Sequence, residues 1–268
     1  MGRSAAFFDL DKTILATASS AALTSRFVQA GLATRRNAIR SAYAQLAYQF
    51  GQATAGQTER LGSAMGRTAT GWDVGLVGAT TQTALDKVIA PQVFAGAAQL
   101  MAAHQACDTD VVICTAAAEE VAQPIAAMLG ANHLLATKME IEDGRYTGQI
   151  ALFNYGPAKA VAMRELARQQ DYDLASSFAY SDSITDLPML EAVGHAVVVN
   201  PSATLKAEAR TRGWPVMRFV TPRPIKWRWV WTGLAWAGGV LTSAALTWLA
   251  IWWTGGGGRP RVPPPDAA

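Results

Sequence analysis

The chain has 268 residues, half of them hydrophobic and 16% charged, with a formal net charge of +3. That length accommodates one sizeable domain with an insert, or two small domains. The small net charge and the lack of a long Lys/Arg run exclude the nucleic-acid-binding class, and two cysteines outside any CxxC or Cys/His cluster exclude a zinc site.

In chain order, the N-terminal stretch MGRSAAFFDLDKT is not a signal peptide, because Asp9 interrupts its apolar run, and nothing in it sends the domain out of the cytoplasm. SAAFFDL predicts a short buried strand. From about Ala21 to Ile89 the apolar spacing of three and four predicts helix, broken at GLATRR and GWDVG. A helix over Phe94 to His104 precedes the strand DVVICT and the helix AAAEEVAQPIAAMLG. Strands with a turn at Asp143–Gly144 follow, then the helix GPAKAVAMRELARQQ. SSFAYSDS is a strand and loop, DLPMLEAVG a helix, HAVVVN a strand and SATLKAEARTRG a helix. This alternation predicts an α/β fold, a Rossmann-like parallel sheet with helices on both faces. The first strand belongs to that sheet, and the helical block is an insertion. The expected division is a core of residues 1–15 and 92–220, with a helical cap over 16–91.

The C-terminal end has a different character. WRWVWTGLAWAGGVLTSAALTWLAIWW, residues 227–253, carries no charge between Arg228 and Arg259 and has tryptophans at both ends. A single transmembrane helix over 229–253 is expected, followed by a disordered Gly/Pro-rich tail over 254–268. Arg218, Arg223, Lys226 and Arg228 outnumber Arg259 and Arg261 across the span, which puts the catalytic domain on the cytoplasmic side of the cell membrane.

In open α/β sheets, ligands bind at the carboxyl ends of the strands. Asp9 and Asp11, Thr115, and Asp182 fall after three different strands. Aspartate forms aspartyl-phosphate intermediates, so Asp9 is a candidate nucleophile. Asp11 can protonate a leaving oxygen and then deprotonate water. Nearby carboxylates repel unless a cation intervenes, and Mg2+ takes one or two carboxylates with water and phosphate oxygens. Asp182 and Asp186 add further acid. Thr115 is expected to end its strand and open a helix, where its hydroxyl and the backbone N–H groups, Ala116 among them, form an anion site. Lys159, in the first turn of the next helix, neutralises a transferring phosphoryl group. Cys114 reads as a small apolar strand residue, and His104, His133 and His195 as ordinary structure.

With these residues in hand, the chain resembles the haloacid dehalogenase superfamily over about residues 4–220. DLDKT looks like its motif I, VVICTAA motif II, the lysine of GPAKA motif III and YSDSITDLPML motif IV. The helical insert after motif I is similar to the subfamily IB hydrolases, the group of phosphoserine phosphatase. The resemblance implies a HAD-like core with a C1 helical cap, Asp9 as phosphorylated nucleophile and Asp11 as general acid/base. It implies Mg2+ held by Asp9, the backbone carbonyl of Asp11 and Asp182, supported by Asp186, with Thr115, Ala116 and Lys159 binding phosphoryl oxygens. Two positions depart from phosphoserine phosphatase: Ala18 replaces a glutamate and Thr185 an asparagine.

The expected function is that of a Mg2+-dependent phosphatase acting on a small-molecule or lipid-derived phosphate monoester, tethered to the membrane by its C-terminal helix. Arg26, Arg35, Arg36, Arg40, Arg60 and Arg67 in the cap are candidates for holding a second anionic group. Phosphotransfer to an alcohol by the same intermediate, and a non-catalytic membrane-tethered scaffold, are the alternatives. The retention of all six polar site residues argues against the scaffold.

Overall fold

The computed structural model describes residues 2–33 and 55–220. In chain order its elements are β1 (Ala5–Phe8), α1 (Ser19–Gln29), α2 (Ala55–Ala69), α3 (Val74–Ala84), α4 (Ala95–Ala106), β2 (Asp110–Ala118), α5 (Glu119–Leu129), β3 (His133–Glu142), β4 (Arg145–Leu152), α6 (Pro157–Gln170), β5 (Phe178–Ser181), α7 (Leu187–Glu191), β6 (His195–Val199), α8 (Ala203–Arg212) and β7 (Val216–Met217). The strands form one sheet in the order β4-β3-β2-β1-β5-β6-β7.

The central strand, β1, is buried along its whole length. Its run of four apolar residues is what a strand covered on both faces requires. Phe7 lies opposite Val112 of β2 on one side and Ala179 of β5 on the other, both in parallel pairing. The chain runs outward from β1 through β2 to β3, then crosses back to begin the other half at β5. The order therefore reverses beside β1, where a doubly wound sheet opens a crevice. One pairing is not parallel. β4 returns antiparallel to β3 through Asp143 and Gly144, whose φ values of 48° and 74° are those of a two-residue type I′ hairpin.

The helical block leaves and rejoins the core through a narrow neck. The Ala16 N–H donates to the Gln92 carbonyl at 2.7 Å, and the Phe94 N–H to the Ile14 carbonyl at 2.9 Å. Inside the block, Asp73 caps α3 by accepting from the Leu76 N–H at 2.9 Å. A π-helical turn over Leu85–Ile89 and a 3-10 turn over Ala90–Gln92 then bring the chain back to the neck. Helix α2 lies against β4 with almost no side chain between them. A Cβ on Gly66 would stand 2.1 Å from the Gly148 carbonyl oxygen, so only glycine permits this approach.

Beneath the strand ends the core is apolar. Phe7, Val112, Met163, Met189, Leu190, Val198 and Leu205 belong to one cluster on α6, α7, α8 and the strands they cover. Elsewhere Phe8 and Tyr180 stack at 4.4 Å, and the Tyr180 hydroxyl shares a 2.7 Å hydrogen bond with His104 Nε2. Burial pushes His104 down to about 4, so its ring is neutral.

The expected helix over 229–253, the tail over 254–268 and residues 34–54 of the expected cap lie outside the described residues. Among the described residues, no helix is long and apolar enough to cross a membrane. The strand β7, two residues long and parallel to β6, was not expected from the sequence.

Candidate active site

Asp9 follows β1 directly, and its N–H donates to the Tyr180 carbonyl at 2.9 Å, extending the β1–β5 ladder by one residue. Its side chain is 9% exposed. Lys159 comes to it from α6. That helix begins with Pro157 at its first position, preceded by Gly156 at φ 55°, a left-handed value that favours glycine. The turn sets Lys159 in the first helical turn with its ammonium pointing inward. Nζ donates to Asp9 Oδ1 at 2.6 Å and to Asp186 Oδ2 at 2.9 Å, and the side chain is only 3% exposed.

Asp186 is the last residue of a 3-10 turn over Ile184–Asp186 after β5. Its Oδ2 accepts a second hydrogen bond, from Ser181 Oγ at 2.7 Å. Asp182, half-buried between them in sequence, is approached by the Thr13 hydroxyl at 3.5 Å from Oδ1. Asp11 faces the insert: its Oδ1 accepts from the Ser19 N–H, the first residue of α1, at 2.8 Å. Between Asp9 and Thr13 the chain turns through Lys12, which takes φ 66° despite having a side chain.

Thr115 requires a correction. It neither ends its strand nor opens a helix. Strand β2 runs on to Ala118 and α5 starts at Glu119. The register with β3 shifts between Cys114 and Ala118, so residues 115–117 bulge out of the ladder. The Thr115 hydroxyl is buried and accepts from the Ala117 N–H at 3.1 Å. Ala116 is held through its carbonyl, which accepts from Thr137 Oγ1 at 2.8 Å. Any anion bound here meets a strand bulge rather than a helix N-terminus.

The electrostatics of the cluster are unbalanced. Burial pushes the Asp9 carboxyl well up, the Lys159 ammonium pulls it back, and Asp186 and Asp182 push it up again. Burial and the nearby Asp186 carry Asp182 up to about 7. Burial raises Asp11 too, against the hydrogen bond from Ser19. Burial opposes the charge of Lys159, but Asp186 and Asp9 outweigh it and hold the proton on. One buried ammonium thus serves more carboxylates than it can neutralise. Oxygen-only donors carrying surplus negative charge suit a hard divalent cation. Among the described residues no group of three or more His, Cys, Asp or Glu converges as a ready cage. Magnesium does not need one, since one or two carboxylates with water commonly suffice. The residues present therefore fit Mg2+.

The structure brings Asp9, Lys159 and Asp186 into direct contact, with Thr13 linking Asp182 to the same loop. Arg26 bonds Gln29 on its own helix at 3.2 Å, Arg60 and Arg67 are exposed, and Arg35, Arg36 and Arg40 lie outside the described residues. Burial lifts the Cys114 thiol to about 12, so it stays protonated and packs as an apolar residue. The sequence reading missed Ser181, Ser19 and Thr13. Ser181 stands one residue before Asp182, in a motif already singled out, and its place at a strand end was the available signal.

The family model for haloacid dehalogenase-like hydrolases matches residues 6–191. A probable phosphatase of Mycobacterium tuberculosis is 50% identical over 220 residues, which is 82% of this chain and 77% of that protein. A phosphoserine phosphatase of the same species is 33% identical over 222 residues, 80% of this chain and 70% of that one. Among solved structures, a protein of unknown function from Bordetella pertussis superposes with a TM-score of 0.71 at 31% identity, covering 81% of this chain and 99% of its own.

Proposed function

The chain belongs to the haloacid dehalogenase-like hydrolase family as a phosphatase, and we propose that it hydrolyses a phosphate monoester through a phospho-aspartate on Asp9 with the help of Mg2+. The observation that carries this reading is the buried Lys159 ammonium, 2.6 Å from Asp9 Oδ1 and 2.9 Å from Asp186 Oδ2 at the mouth of the central strands. A purely structural role gives no reason to bury surplus carboxylates around one cation, because unpaired buried charge is costly.

In the first step a carboxylate oxygen of Asp9 attacks phosphorus. The bond to Asp9 forms as the bond to the alkoxy oxygen breaks, and Asp11 gives its proton to the departing alcohol. In the second step Asp11 takes a proton from water, the water oxygen bonds to phosphorus, and the Asp9 carboxylate is released with inorganic phosphate. Burial raises the Asp11 carboxyl, which favours its protonated form, as a general acid needs. Lys159 orients Asp9 in the resting site and turns to the phosphoryl oxygens when substrate enters, joined by the Thr115 hydroxyl and the Ala116 N–H. Asp9, the Asp11 backbone carbonyl and Asp182 would hold the metal with Asp186 in support, and the metal would neutralise the charge of the phosphoryl group.

The helical block over 16–91 acts as the cap that excludes water, hinged at the neck between residues 14–16 and 92–94. Ala18, at the cap entrance, offers no carboxylate to an amino group, which weighs against phosphoserine as the substrate. The span over 229–253 anchors the enzyme with its catalytic part in the cytoplasm and favours a lipid-derived substrate. Recovery of the full chain in the soluble rather than the membrane fraction would overturn the anchor.

The test is phosphate release by the full-length protein with Mg2+ against a panel of sugar phosphates, nucleotides, phosphoserine and lysophosphatidate. Asp9→Asn should lower the rate by at least about a thousandfold, the scale of removing a nucleophile. Unchanged release by that variant would refute the phospho-aspartate.

A further inference from the structure

We propose that Asn154 is a positioning residue for phosphoryl transfer: its one side-chain amide fixes the bulged end of β2 against the loop that delivers Lys159. The inference rests on the phosphatase reading above and deepens it.

Asn154 lies between β4 and α6 and is completely buried. Its Nδ2 donates to the Thr115 carbonyl at 3.1 Å and to the Leu135 carbonyl at 2.8 Å, and approaches Cys114 Sγ at 3.6 Å. Its backbone N–H donates to Thr137 Oγ1 at 3.2 Å, and that hydroxyl donates in turn to the Ala116 carbonyl. Both residues of the proposed phosphate cradle, Thr115 and Ala116, are therefore tied to Asn154, one directly and one through Thr137.

The orientation of the amide is dictated by its surroundings. Two carbonyl oxygens face Nδ2, so the flipped amide would set oxygen against oxygen. The chosen orientation leaves Oδ1 buried with no hydrogen-bond partner among the described residues. A buried acceptor left unsatisfied costs about 1–3 kcal/mol. A side chain chosen for packing alone would avoid that cost, and leucine has a similar size. The two donors are what the position requires, because they meet the Thr115 carbonyl in the bulge and the Leu135 carbonyl beside it.

The same residue is five positions before Lys159, and the short loop between them contains the left-handed Gly156. A shift of Asn154 therefore moves the Thr115–Ala116 bulge and the Lys159 ammonium relative to each other. These are the two sides of the phosphate cradle. Misplacement by about 1 Å at such a site can cost about a hundredfold in rate.

The experiment uses full-length Asn154→Ala and Thr137→Val, assayed with Mg2+ on whichever monoester the wild type hydrolyses, with Asp9→Asn alongside. Rates are normalised to folded protein by thermal unfolding. The inference predicts that kcat of Asn154→Ala falls by about tenfold to a hundredfold while KM changes less. Inhibition by orthovanadate, which occupies the phosphoryl position, should weaken by a similar factor. Thr137→Val should show the same split more mildly, and Asn154→Ser, which restores one donor, should recover part of kcat. If Asn154→Ala does not fold, Thr137→Val and Asn154→Ser carry the test. Wild-type kcat and vanadate inhibition per folded molecule, with only a lowered Tm, would overturn the inference and leave Asn154 a packing residue. Activity that survives Asp9→Asn would instead overturn the phosphatase mechanism on which it rests.

Discussion

Strand β5 and the turn that follows it handle buried polar groups in opposite ways. Tyr180 lies in the aromatic layer, its hydroxyl 2.7 Å from His104 and its ring stacked on Phe8. The Tyr180 hydroxyl and His104 Nε2 satisfy each other there, and the histidine is neutral. Two residues later Asp182 enters a cluster in which Asp9, Asp182 and Asp186 surround one ammonium. The lesson is that the aromatic layer pairs the polar groups it buries, while the turn after it buries more charge than it pairs. Where the fold carries surplus charge, the surplus is maintained by the surrounding structure and marks the place of a ligand.

The largest expected effect comes from removing the buried ammonium of Lys159. Lys159→Met leaves Asp9 and Asp186 buried without their partner. Breaking a buried pair from one side costs about 3–5 kcal/mol, and phosphate release should fall at least about a thousandfold. Urea unfolding and the phosphatase assay check both. A variant as stable as wild type would erase the contrast between β5 and the turn after it.

A smaller effect is expected in the satisfied layer. Tyr180→Phe removes one hydroxyl and leaves His104 Nε2 without that bond, for a loss of about 1–3 kcal/mol in urea unfolding. Its kcat should stay within about twofold of wild type, since the Tyr180 carbonyl that holds Asp9 is unaltered.

The smallest effect, and the most diagnostic, is on pH dependence without metal. An unfolded aspartate titrates near about 4, whereas native Asp182 titrates at about 7. Between these values the native state holds a proton that the unfolded state has lost. The stability Asp182 contributes on protonation is therefore present at low pH and lost as pH rises through 7. His104 has the opposite sign: its native value of about 4 lies below the usual 6.5, so its contribution is lost as pH falls through that window. Above pH 6.5 the His104 slope is gone, and Asp182, with the raised Asp9 and Asp11 acting in the same direction, sets the remaining one. Thermal unfolding of metal-free protein should give a Tm that declines from about pH 6.5 to 8, and Asp182→Asn should flatten the decline. Mg2+ should raise Tm more at pH 8 than at pH 6, because at the lower pH it competes with the proton.

The alternation of strands and helices, the strand-end positions of Asp9, Asp11 and Asp182, and the helix-start position of Lys159 were legible because hydrophobic period and motif spacing are local properties. What escaped notice depends on partners distant in sequence. Alanine is compatible with strand and helix alike, so TAAAEE could not reveal that β2 runs on to Ala118; the pairing with Thr137 decides it. Asn154 reads locally as a turn residue, and only the arrival of Leu135 and Thr115 beside it makes it a clamp. The two residues of β7 are too few to show a period, and only β6 beside them makes a strand.

The position of β1 has a consequence for how the protein is made. Ala6 emerges early from the ribosome, but its two neighbours in the sheet are Val111 and Phe178. The strand that leads into Asp9 must wait through more than half of synthesis before its second edge is covered. Such long-range pairing slows folding, although the entropy of closing a longer loop grows by only about 0.6 kcal/mol per doubling. The insert is thus inexpensive at equilibrium and costly in time. A nascent chain has no competent phosphatase site until β5 arrives, and meanwhile it exposes a bare apolar strand that chaperones would be expected to shield.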